Sequence, residues 1–256
     1  MRLFANDAPL QATETKGSCV NSVRSLAALF TILAAAASPS LAPASEESVA
    51  VAIIYDTSGS MKDTVKDLNG KFTPKYVIAN RALNAIARQL QNFATNNPGG
   101  SRRRIEAGVF IFSGNDAIPA VKFGPFDPRP IHEFAHSFSN PSGSTPLGNS
   151  LTTASRAVLD SPLNRKHILV ITDGQNTAGP DPAAVLPRLK QRAQTSGTSL
   201  SVHFVAFDVD AKVFDGIKKQ GATVVAAADE KQLNTQLEFI MQRKILLEEE
   251  EPPKKP

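Results

Sequence analysis

The sequence predicts a doubly wound α/β domain: a mostly parallel, six-stranded sheet with helices on both faces. Three observations predict it. Apolar runs of strand length, rich in valine and isoleucine and lacking polar alternation, recur along the chain, as expected for strands buried on both faces. Between them lie segments whose apolar residues repeat at three and four positions, the period of an amphipathic helix. The first run, Val49–Tyr55, stops abruptly at Asp56-Thr57-Ser58-Gly59-Ser60. A carboxylate and two hydroxyls are thereby gathered at the carboxyl end of a strand, where open α/β sheets bind ligands.

The elements follow in order. After Val49–Tyr55 comes a polar insert, Lys62–Pro74, with Asn69-Gly70 as a turn signal. Lys75–Phe93 presents Tyr76, Ala79, Leu83, Ile86, Leu90 and Phe93 on one helical face, and Asn96-Asn97-Pro98-Gly99-Gly100 stops it. Ile105–Phe112 is the second strand. The arginines ahead of it, Arg102, Arg103 and Arg104, read as a solvated lead-in, because no aromatic or basic cluster accompanies them. Pro119–Phe123 is a short third strand, and Pro128–His136 a helical turn or two. The loop Ser137–Ser144 ends at Thr145, which caps or precedes the helix that Pro146 opens and that runs to about Leu159. His167–Thr172 is a strand ending in Asp173-Gly174. Pro182–Thr195 is a helix with Pro187 as a potential kink. Leu200–Phe207 is a strand, Ala211–Gln220 a short helix, Thr223–Ala227 the last strand and Asp229–Leu247 the terminal helix.

Composition narrows the function. The 256 residues are 41% hydrophobic and 20% charged, which suits a globular core. The formal charge of +4 does not demand nucleic acid, and none is expected as a partner. Residues 1–44 differ from the rest: Arg24 precedes an apolar stretch, Leu26–Ala37, then a Pro/Ser break and Ala42-Pro43-Ala44. These are the parts of a secretory signal peptide. An uncleaved inner-membrane anchor over Leu26–Ala44 is the alternative. Either places the domain, residues 45–247, in the periplasm or outside the cell. Residues 248–256, EEEEPPKKP, are expected to form a disordered tail. Cys19 is the only cysteine and precedes the expected cleavage. The processed chain would then lack thiolate catalysis, disulfides and cysteine–zinc sites together.

Three strand-end features are expected to converge. Asp56, Ser58 and Ser60 follow the first strand, Thr145 precedes a helix, and Asp173 ends a central strand. Oxygen donors without histidine or cysteine suit a hard cation. With Asp56-Thr57-Ser58-Gly59-Ser60 as D-x-S-x-S, Thr145 in Gly143-Ser144-Thr145-Pro146-Leu147, and Asp173-Gly174 after a buried strand, residues Val49–Leu247 resemble the von Willebrand factor A domain family. The resemblance implies a metal-ion-dependent adhesion site, and with the signal-like N-terminus the reading is an exported bacterial member of the family. There the Ser58, Ser60 and Thr145 hydroxyls contact Mg²⁺, with Mn²⁺ or Ca²⁺ as substitutes, and Asp56 and Asp173 act largely through waters and hydrogen bonds. It further implies a protein partner whose acidic residue completes the coordination, and an antiparallel edge strand, which would be Pro119–Phe123. The loops Lys62–Pro74, Phe112–Asp116, Ser139–Ser144 and Gln175–Asp181 would choose the partner.

Two other functions compete with this non-enzymatic reading. His132-Glu133-Phe134-Ala135-His136 fits H-E-x-x-H, the pattern of a zinc hydrolase. A catalytic zinc site needs a third protein ligand, and His167 and His203 fall inside buried strands, where core packing is the simpler role. The other is a metal-independent structural adaptor in an envelope complex. No G-x-S-x-G elbow, phosphate-binding lysine loop or dinucleotide fingerprint is present.

Overall fold

The computed structural model describes residues 48–96 and 103–247. The expected export segment with Cys19, the tail 248–256, and Arg102 of the arginine run lie outside these residues. In chain order the elements are β1 (Val49–Tyr55), a 3₁₀ turn at Gly59–Lys62, β2 (Thr64–Lys66), β3 (Phe72–Pro74), α1 (Lys75–Thr95), β4 (Ile105–Ser113), β5 (Asp116–Pro125), α2 (Pro128–Ser137) and α3 (Leu147–Leu159). Then follow β6 (Arg165–Thr172), α4 (Pro182–Thr195), β7 (Ser199–Phe207), a 3₁₀ turn at Ala211–Phe214, α5 (Asp215–Lys219), β8 (Thr223–Ala227), α6 (Glu230–Phe239) and a π-helical stretch, Ile240–Leu246.

The main sheet has six strands in the order β5-β4-β1-β6-β7-β8. All neighbours are parallel except β4 and β5. Every residue of β1 is buried, so its alternating side chains build two separate cores. Val49, Val51, Ile53 and Tyr55 pack with α1, α2 and α6. Ala50, Ala52 and Ile54 pack with α3, α4 and α5. Full burial of one aliphatic side chain contributes about 1.5–3 kcal/mol, which accounts for the uninterrupted apolar composition of this central strand.

Connections from β1 and β6 leave toward opposite faces, since α1 lies on one core and α4 on the other. The crevice between the carboxyl ends of β1 and β6 is therefore the switch point of the sheet, the place where such folds bind ligands. Neighbouring ends are locked in register: the Asp56 amide donates to the Ile171 carbonyl at 3.1 Å.

Several local expectations change. The polar insert contains a β2–β3 antiparallel hairpin. The edge strand is Asp116–Pro125, ten residues where five were expected. Pro119 and Pro125 break the sequence signal, but an edge strand needs no donor on its free side. The segment Pro128–Ser137 is a full helix, capped by the Asp127 side chain on the Arg129 amide with proline at its start. Thr145 does not cap α3: Pro146 holds the N-cap position and no side chain caps it. Pro187 leaves α4 unbroken over Pro182–Thr195. The terminal helix changes to π-helical winding at Ile240. Among the described residues no helix is long and apolar enough to cross a membrane.

Candidate functional site

Asp56 is fully buried at the end of β1. Its Oδ1 accepts from the Ser58 amide at 2.7 Å and its Oδ2 from Thr172 Oγ1 at 2.6 Å. The first bond folds the chain into a tight turn, and the second ties that turn to the last residue of β6. Burial pushes the Asp56 carboxyl up to about 6, helped by the nearby charge of Asp173, while the Ser58 and Thr172 hydrogen bonds oppose the rise.

The turn places the two serine hydroxyls side by side. Ser58 Oγ and Ser60 Oγ are 3.1 Å apart, and Ser60 Oγ donates to Asp173 Oδ1 at 2.8 Å. A hydroxyl has a single proton to donate. Ser60 gives its proton to Asp173, so it accepts from Ser58. The resulting chain runs Ser58 to Ser60 to Asp173.

Thr145 arrives from the opposite side. The Ser142 amide donates to the Thr57 carbonyl at 2.7 Å and the Gly59 amide to the Gly143 carbonyl at 3.2 Å, stitching the second loop onto the first. Thr145 then pairs reciprocally with Thr177: its amide donates to Thr177 Oγ1 at 2.8 Å and its carbonyl accepts from the Thr177 amide at 3.0 Å. Gly148, in the first turn of α3, lets the loop beyond Asp173 lie flush on the helix, because a Cβ there would come within 2.1 Å of the Pro180 carbonyl oxygen. A Cβ on Gly174 would lie 3.7 Å from Thr145 Oγ1 and 3.9 Å from Ser60 Oγ, so both hydroxyls border the same residue. All five residues singled out from the sequence, Asp56, Ser58, Ser60, Thr145 and Asp173, thus share one rim.

The structure adds two residues that sequence reasoning missed. Lys75, the first residue of α1, is buried, and its Nζ donates to Asp173 Oδ2 at 2.9 Å. The same ammonium lies 3.1 Å from Asp208 Oδ2 and 3.9 Å from Asp63 Oδ2. Desolvation pulls the Lys75 pKa down, but the hydrogen bonds and charges of Asp173 and Asp208 outweigh it and hold the ammonium above its ordinary value. Asp208 follows β7 and is the only non-glycine residue with positive φ, 55°, among the described residues. A signal for Lys75 existed: it lies four residues before Ala79, on the buried stripe of α1, and unpaired lysine is almost never fully buried.

The H-E-x-x-H residues do not gather a metal set. His132 Nδ1 is 2.6 Å from Asn84 Oδ1 and His136 is exposed on α2. His167 and His203 are core residues on β6 and β7, their rings stacked 5.6 Å apart. Among the described residues no three His, Cys, Asp or Glu side chains form a group that could hold a metal ion; the rim combines two carboxylates with three hydroxyls.

A protein of Bacillus subtilis (strain 168), the uncharacterized protein YwmD, is 25% identical over 194 residues, 72% of this chain and 79% of that protein. The PilB minor pilin of Streptococcus sanguinis superposes with a TM-score of 0.56 at 16% identity, over 76% of this chain and 60% of the pilin. Proximal thread matrix protein 1 of the mussel byssus, in a structure with a zinc-occupied MIDAS motif, superposes with a TM-score of 0.52 at 16% identity, over 76% of this chain and 47% of that one. The chain therefore spans less than two thirds of either solved relative. Residues 50–242 match the von Willebrand factor type A domain model, and the chain belongs to that family.

Proposed function

We propose that the chain is a non-catalytic protein-interaction module that takes an acidic residue of its partner at a divalent cation, Mg²⁺ in the first instance. The single observation that carries this reading is the convergence of Ser58 Oγ, Ser60 Oγ and Asp173 Oδ1 in one hydrogen-bonded chain beside the Thr145 hydroxyl. The donors are all oxygen, as a hard cation requires. Ser58, Ser60 and Thr145 would face the ion. Both oxygens of Asp56 are engaged by the Ser58 amide and Thr172, so Asp56 would orient the turn from behind. Asp173 would hold Ser60 through Oδ1. A bound divalent ion supplies positive charge that neutral hydroxyls leave largely uncompensated, which is what attracts a carboxylate. The mussel protein is said to carry zinc in a motif of the same name, which supports the reading. Export to the periplasm or cell exterior, with cleavage or inner-membrane anchoring at residues 1–44, belongs to the same proposal.

One observation favours the metal-independent adaptor. The Lys75 ammonium already compensates Asp173, so the rim is internally paired without an ion. Affinity capture from a native envelope extract, with Mg²⁺ and with EDTA, separates the readings. The expected result is a partner retained in Mg²⁺ and released by EDTA, with retention lost in Asp173→Ala. Capture indifferent to chelator would overturn the metal reading in favour of the adaptor. Tight zinc lost in His132→Ala would instead revive the hydrolase.

A further inference from the structure

Lys75 is an anomaly in its element. It opens α1 at a position that faces inward, and its side chain is only 5% exposed. A buried ammonium needs compensation, and three carboxylates supply it on a gradient from interior to solvent. Asp173, whose side chain is fully buried, is 2.9 Å away; Asp208, 41% exposed, is 3.1 Å away; Asp63, 72% exposed, is 3.9 Å away.

The backbone holds this arrangement at the serine turn itself. The Lys75 amide donates to the Asp63 carbonyl at 2.8 Å, and the Asp63 amide donates to the Ser60 carbonyl at 2.9 Å. Asp208 is presented from a left-handed backbone, with its amide donating to the Ala227 carbonyl at 2.7 Å. Lys75 therefore bridges the ends of β6 and β7 while its main chain is tied, through Asp63, to Ser60, the residue that bonds Asp173.

We propose that Lys75 is a resident counter-ion of the rim, an ammonium that balances Asp173 in the ion-free protein and weakens the binding of a divalent cation beside it. The inference rests on the metal reading above. Its logic is charge. Asp173 is the carboxylate that links directly to the serine chain, and one of its two oxygens is committed to Lys75. A divalent ion entering beside Ser60 meets a positive charge that a neutral side chain would not present. The outer carboxylates, Asp208 and Asp63, give the ammonium somewhere to turn when the ion loads, without leaving it unpaired.

Two consequences follow. In the ion-free rim Asp173 is never left uncompensated, because the Lys75 ammonium stays paired with it. The ion alone binds weakly, so an anion from the partner contributes more to holding it than it would at a site without the lysine. Metal occupancy and partner binding are thereby coupled, each raising the affinity for the other.

The test is the dissociation constant for Mn²⁺, read by electron paramagnetic resonance on the full chain stripped with EDTA, for wild type, Lys75→Gln and Lys75→Arg. Glutamine keeps a donor toward Asp173 and removes the charge; arginine keeps the charge. Lys75→Gln is expected to bind Mn²⁺ about tenfold more tightly or better, and Lys75→Arg within about threefold of wild type. Lys75→Gln should also melt earlier than wild type in EDTA and recover in excess Mn²⁺. Equal or weaker Mn²⁺ binding by Lys75→Gln in a protein that melts cooperatively overturns the proposal but leaves the metal reading intact. No Mn²⁺ binding by any of the three overturns both.

A second measurement covers poor folding of the variant. In wild type the Lys75 ¹⁵Nζ resonance should be sharp in EDTA and should move on titration with Mg²⁺, saturating with the same dissociation constant as the protein. A resonance that stays in place while Mg²⁺ binds overturns the proposal.

Discussion

Thr172 Oγ1 donates a 2.6 Å hydrogen bond to Asp56 Oδ2 across the boundary between β6 and β1. Both residues are fully buried, so this bond joins the two strand ends that flank the crevice. Thr172→Val keeps the volume and removes the donor. It should lower unfolding stability by about 1–3 kcal/mol, the cost of leaving a buried acceptor short of a partner. Urea denaturation with an unchanged slope is the check. Stability equal to wild type would show that Asp56 does not depend on the bond.

Asp56 makes a prediction about pH. Its carboxyl sits at about 6 in the folded protein against an ordinary 3.8. The folded state therefore holds the proton more tightly than the unfolded chain. The stability this group contributes is full below about pH 4 and is lost as pH rises through about 6, a change on the order of 3 kcal/mol. In EDTA, the stability of wild type minus that of Asp56→Asn should fall across this window and then level off. A flat or rising difference would contradict the assignment.

The histidine pair acts with the opposite sign. Desolvation, with the charges of Lys244 and Lys190, pulls His203 down to about 4, and His167 is depressed well below its ordinary value by burial, His203 and Arg165. Both stay neutral in the core. Their contribution is present above about pH 6.5 and is lost as pH falls toward 4. His203→Phe, which keeps a ring against His167, should lose less stability on acidification than wild type. Thermal melts at pH 7 and pH 4.5 measure the difference.

Gly148 tests how the second loop is held. A methyl there would meet the Pro180 carbonyl at 2.1 Å, and rigid backbone cannot yield cheaply. Gly148→Ala should destabilise by about 1–3 kcal/mol, against the gain of roughly 1 kcal/mol that alanine normally brings to a helix. It should also weaken Mn²⁺ binding by displacing the Thr145–Thr177 pair. A stabilised Gly148→Ala protein would mean that the loop moves freely.

Most of the fold was legible because its signals are local. Val49–Tyr55 and Ile168–Ile171 are buried on both faces, and such stretches are apolar whatever their neighbours. The rim was legible for a related reason. Asp56, Ser58 and Ser60 lie within one turn, so spacing alone places them together, and Asp173 ends a strand whose limits are plain. Lys75 and Asp208 were not legible as partners. They are far apart in sequence, Asp208 looks like a solvated residue at a strand's end, and only the pairing of β6 with β7 brings Asp208 beside Asp173. The β2–β3 hairpin escaped for want of length, since three-residue strands give alternation too little room. The full extent of β5 was hidden by prolines that an edge position tolerates.

The two cores described above share the sheet but no side chain. Each half of the rim therefore has its own foundation: Lys75 stands on the α1 side, and Thr145 leads into α3 on the other. A packing defect under α3 would slacken the threonine and leave the lysine in place, and one under α1 would do the reverse. Damage on one side is insulated from the other by a layer of backbone. The rim can thus be retuned in halves, its counter-charge through one core and its hydroxyl through the other.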